Sequence, residues 1–143
     1  ESLEKVGRPV CISLVITTQL GSARHPGTSR IPLEERMAVD LVHGLVATLQ
    51  VTRDRLSAIS CQVGRPGMAG PSEAPAAGVK EACLAGHFVL GAAGQSQAST
   101  GTFLVCALAS EPRLELRFHC ARGSLVLRRE RSAWQMTVTD DHG

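Results

Sequence analysis

The stretch Pro112 to Arg129, PRLELRFHCARGSLVLRR, constrains the fold more than any other. Both halves alternate apolar and polar residues around Ala-Arg-Gly-Ser, a pattern that predicts a β-hairpin. On its first arm Leu114, Leu116 and Phe118 share one face, leaving Arg113, Glu115, Arg117 and His119 on the other. A single hairpin is barely stable in water, so this one is expected inside a larger sheet.

The remaining segments supply that sheet. Arg8 to Gln19 is a β-branched run of strand length. Leu20 to Arg30, rich in Gly, Ser, Pro and Thr, is expected to be a loop. Pro32 suits the first turn of a helix, and Glu34 and Glu35 suit its positive end. Beyond it Met37, Leu41, Leu45 and Leu49, with Val42 and Val46 beside them, form an apolar stripe along about five turns. Strands are then expected over 54–63, 81–90, 94–108, 113–120, 124–131 and 133–139. The Pro- and Gly-rich segment 64–78 is expected to be a flexible loop. Consecutive strands joined by short turns pair antiparallel. The expectation is therefore a single α+β domain over 1–143, an open antiparallel sheet of about six strands with one long helix on one face.

Composition removes several functions. A chain of 143 residues with 20% charged and 43% hydrophobic residues can build an ordinary globular core. Aromatic content is only 3%, too low for a base-stacking surface, and the net charge of +2 is dispersed apart from Arg128, Arg129 and Arg131. Nucleic acid is not an expected partner. No apolar run reaches the ~20 residues of a membrane span, and the N-terminal residues have no signal-peptide pattern. Five cysteines, odd in number and without C-x-x-C spacing, point to free thiols rather than zinc ligands or a disulfide framework. A reduced, cytoplasmic protein is expected.

Four pieces resemble a known family in their order along the chain. They are Gly7-Arg8-Pro9-Val10-Cys11-Ile12-Ser13, Asp40-Leu41-Val42-His43-Gly44-Leu45, Leu90-Gly91-Ala92-Ala93-Gly94-Gln95-Ser96, and Leu114-Glu115-Leu116 through Arg122-Gly123-Ser124-Leu125-Val126-Leu127. Together they resemble an entry strand, a helix carrying an Asp and a His, a strand turn and a hairpin. These belong to the C-terminal domain of the glucose-fructose oxidoreductase/inositol dehydrogenase (Gfo/Idh/MocA-like) family. Two departures stand out. No Gly-x-Gly-x-x-Gly follows a strand, so the pyrophosphate site of a nucleotide-binding fold is absent and no cofactor is expected on this chain. The family's acid and His stand four apart, whereas Asp40 precedes His43 by three and Val39 occupies the family's acid position.

The resemblance makes His43 and Asp40 the candidate catalytic pair, because a histidine serves as a general acid or base near neutral pH and a neighbouring carboxylate can orient it. A structural histidine is the alternative. His87, His119, Glu115 and Arg117 are candidate substrate contacts on one sheet face, where a solvated or interface face is the alternative and a metal site the remoter one. Trp134, beside Met136, is a further candidate wall residue, with a place in the core as its alternative.

The expected function is a stand-alone domain derived from an oxidoreductase. It would bind a small apolar metabolite between helix and sheet and catalyse a redox-neutral cyclisation, isomerisation or dehydration. Two other readings stay open: the substrate-binding and oligomerisation half of an NAD(P)-dependent oxidoreductase, and a non-catalytic regulatory module. A homodimer through the sheet's uncovered face is also expected.

Overall fold

The computed structural model of the chain describes residues 2–19, 33–64, 83–91, 98–108, 112–130 and 132–140. The expected loop at 20–30, all of the one expected at 64–78 except Gly64 (which ends a strand instead), Pro32, and most of the 90–96 turn lie outside them. A short helix α1 (Ser2–Val6) leads into β1 (Pro9–Gln19), followed by the 20-residue α2 (Leu33–Thr52). Then come β2 (Leu56–Gly64), β3 (Cys83–Leu90), β4 (Ser99–Leu108), β5 (Arg113–Cys120), β6 (Gly123–Glu130) and β7 (Ala133–Asp140).

All seven strands form one sheet in the order β2-β3-β4-β1-β5-β6-β7. The fold is α+β as expected, with two corrections. Among the described residues there are seven strands rather than about six, and the sheet is mixed because β1 runs parallel to β4. The physical reason lies in the connection after β1. The segment carrying α2 is long enough to be a crossover, so β2 can start parallel to β1. The antiparallel β2-β3-β4 meander then folds back until β4 meets β1 edge to edge. Ser99 fixes this long-range junction by donating from Oγ to the Pro9 carbonyl at 2.6 Å, with both residues buried.

One sheet face carries the core. Ile12, Leu14 and Ile16 of β1 alternate inward with Phe88 and Leu90 of β3, Phe103 and Val105 of β4, and Leu116 and Phe118 of β5. Met37, Leu41 and Leu45 of α2 close over them, and the helix lies across β1, β4 and β5. Gly44 permits close contact: a Cβ there would stand 2.8–2.9 Å from the side chains of Leu14 and Ile16. The helix thus rests flush on β1.

Two glycine–phenylalanine pairs lock β3 to β4. Gly86 pairs with Phe103 and Phe88 with Gly101, so each ring lies over the glycine on the opposite strand. The hairpin read from sequence is β5–β6. It turns at Ala121 and Arg122, and Gly123 adopts a φ of +148°. No helix among the described residues is long and apolar enough to cross a membrane.

Candidate functional site

Helix α2 has apolar residues on two sides. Met37, Leu41, Leu45 and Thr48 are buried against the sheet, while Val39, Val42 and Val46 are 51%, 55% and 46% exposed. His43 stands exposed among these outward valines. Asp40 lies half-buried on the flank, where its Oδ2 accepts a hydrogen bond from Thr18 Oγ1 of β1 at 2.6 Å. Among the described residues no hydrogen bond or ion pair joins Asp40 to His43. The acid is engaged by the sheet, and the imidazole faces away from it. A pocket between helix and sheet with His43 at its wall is therefore not what forms: the helix is flush at Gly44, the residue next to His43.

The four candidates on the sheet do share its open face, but not one locus. His87 pairs with Ser60 and Thr102, whereas His119 pairs with Cys11 and Ser124. Strands β4 and β1 separate them, so the two histidines are not neighbours. No group of three or more His, Cys, Asp or Glu among the described residues is placed to hold a metal ion.

Glu115 and Arg117 are brought together, with a third member that the sequence reading had not assigned to the site. Arg128 Nε donates to Glu115 Oε2 at 2.7 Å, and an Arg117 guanidinium nitrogen donates to Oε1 at 3.1 Å. The Arg128 bond, with charge from both arginines, holds the Glu115 carboxyl below its ordinary range against the opposing effect of burial. Arg128 is directly opposite Glu115 across β5–β6, a juxtaposition that hairpin register alone could have revealed. Arg129 falls on the other face and lies over the Trp134 ring at 5.8 Å. Trp134 is 49% exposed near the β7 end. It is neither in the core nor on the face of the other candidates.

A cavity of about 430 Å³ opens on the helix side, between α1, the end of α2 and β6–β7. Leu3, Gln50, Arg53, Leu125, Leu127 and Met136 contribute to its lining. Arg53 follows the last residue of α2 with φ +56° and donates its N–H to the Leu49 carbonyl at 2.8 Å. A left-handed arginine at this position has no signature in the sequence, where glycine is the usual choice.

No protein-family model and no curated protein matches the chain. Among solved structures, it resembles a protein described as a candidate oxidoreductase from Thermotoga maritima, with a TM-score of 0.54 and 11% identity. The likeness covers 96% of this chain and 42% of that one, so this chain spans less than half of its neighbour's length. At that identity the likeness is one of fold.

Proposed function

We propose that this chain is the sheet half of a two-part oxidoreductase, onto which a nucleotide-binding unit docks across the outward side of α2. The observation that carries the reading is the second apolar stripe, Val39, Val42 and Val46, each about half exposed around His43. A helix covered on one side only is expected to be polar on the other. Here the outward side carries three valines among Glu35, His43 and Gln50, more apolar than a solvent-facing side needs. The fold likeness to less than half of an oxidoreductase chain supports the same division.

In this reading His43 faces the docked unit and a small-molecule substrate, serving as general acid or base. Asp40, tied to Thr18, fixes the helix flank beneath it. The stand-alone redox-neutral enzyme has less support, because it needs an opening where Gly44 meets Leu14 and Ile16. A homodimer through the open face belongs to the same proposal, with Val15 and Leu104 as its small apolar centre. A monomer by light scattering at micromolar concentration would remove it.

The decisive test is copurification followed by gel filtration, with the co-eluting chain required to retain NAD(P). Val42→Asp with Val46→Asp should abolish co-elution while changing the stability of the isolated chain by less than about 1 kcal/mol, as surface changes do. Persistent association in that double variant would refute the docking face. In the assembled protein His43→Ala should lower kcat about 10²–10⁴-fold, the usual worth of a positioned acid or base. An unchanged kcat would remove the catalytic role.

A further inference from the structure

We infer that Cys83 and Cys106 form a redox modification site, at which the open face of the sheet acquires a reversible cross-strand disulfide. The two residues are register partners on the antiparallel pair β3–β4, and their sulfurs stand 3.1 Å apart as free thiols. Opposite residues of an antiparallel pair have Cα atoms about 4.5–5.5 Å apart, inside the range that a disulfide spans. Sulfur atoms in a disulfide are about 2.05 Å apart, so closure asks for a shift of about 1 Å. No strand needs to slide.

The pair lies on the outward face, where both side chains are half-buried and Thr17 of β1 flanks Cys106 in register. The other three cysteines stand apart. Cys11 is on β1, Cys61 on β2 beside Gly86, and Cys120 at the end of β5. Only Cys83 and Cys106 among the described cysteines are in thiol–thiol contact.

The chemistry is thiol–disulfide exchange with the disulfide of a small thiol. One thiolate of the pair attacks that disulfide, forming a protein–small-thiol mixed disulfide and releasing one small thiolate. The second protein thiolate then attacks the protein sulfur of the mixed bond and expels the other. Two protein thiols lose two electrons and two protons, and one small disulfide becomes two small thiols. Burial and the neighbouring Cys83 thiol push Cys106 up to about 11. That lowers the fraction of Cys106 present as the attacking thiolate and so slows its own attack.

The topology gives the bond a consequence. β2 and β3 are joined to the rest of the sheet through the β3–β4 pairing. A Cys83–Cys106 bond would fasten this two-stranded wing covalently to the central strands, and its reduction would leave the wing held by hydrogen bonds and packing.

The test treats the folded chain with a graded ratio of oxidised to reduced glutathione, alkylates the remaining thiols and maps disulfides by peptide mass spectrometry. The expected result is an intramolecular Cys83–Cys106 bond, its closure rate independent of protein concentration, reversed by dithiothreitol and accompanied by a raised Tm. At the ratio where this bond is half formed, glutathione on Cys11 or Cys61 should be at least tenfold less abundant. Cys106→Ala should stop the reaction at a mixed disulfide on Cys83. Glutathione on Cys11 and Cys61 with Cys83 and Cys106 still free would overturn the inference. So would a bond that forms only between chains, or one that lowers Tm.

Discussion

Replacing Gly101 by alanine tests how the β3–β4 core is built, because the structure names the atoms that must give way. A Cβ at Gly101 would stand 2.6 Å from Phe88 Cε1 and closer still to Cε2 and Cζ. Carbon atoms in good contact are about 3.5–4.0 Å apart. The ring cannot swing freely, since Phe88 is fully buried, and Gly101 sits on a strand paired on both sides. Overpacking of this kind costs about 1–3 kcal/mol, while removing a strand glycine returns about 0.5–1 kcal/mol. With three ring atoms overlapping the added Cβ, the cost falls at the upper end of that range, so the expected net loss for Gly101→Ala is about 2 kcal/mol, a large share of the ~5–15 kcal/mol that holds a domain together. Leucine at position 88 lacks all three clashing atoms. Phe88→Leu alone should lose about 1–2 kcal/mol through the space it leaves, and Gly101→Ala made on that background should be neutral or slightly stabilising. Urea unfolding followed by far-UV circular dichroism on the four proteins gives a coupling energy, expected near 2 kcal/mol. A coupling below about 0.5 kcal/mol would refute the ring-over-glycine account.

Gly86→Ala should be harsher and should not be rescued by Phe103→Leu. Its added Cβ also meets the Ser60 carbonyl oxygen, which is backbone and cannot step aside; denaturant midpoints of the single and double variants decide this. Gly123→Ala combines a φ of +148° with a clash on the Thr139 carbonyl, so a loss above about 1 kcal/mol is expected by thermal unfolding. Thr18→Val removes the bond to Asp40 while keeping the side-chain shape, and should cost about 1 kcal/mol in the same assay. Glu115 has its folded-state pKa lowered, so its contribution is complete above the unfolded value near 4.3 and is lost as pH falls through the folded one. Because the carboxylate and both arginines are a third to half exposed, Glu115→Gln should flatten the acid limb of stability against pH by only a few tenths of a kcal/mol.

What could be read from the sequence depended on how local its cause was. The β5–β6 hairpin was legible because alternation and turn chemistry sit within eighteen consecutive residues, and the strand bounds differ from expectation by a residue or so. The parallel β1–β4 pairing was not, because it joins Cys11 to Thr100 and nothing local in either strand names the other. The site turned on a subtler ambiguity. Periodicity picks out Met37, Leu41 and Leu45, which do meet the sheet, but it sets Val42 and Val46 beside them as one stripe, and the structure turns those two outward with Val39. Gly44 is the local clue to the division: it lies within the stripe of Met37, Leu41 and Leu45, where the helix comes close to Leu14 and Ile16. Taken that way, the sequence would have placed Gly44 inward and its neighbour His43 outward. His43 then stands on the exposed side of α2 with Val39, Val42 and Val46, away from the packed seam between helix and sheet.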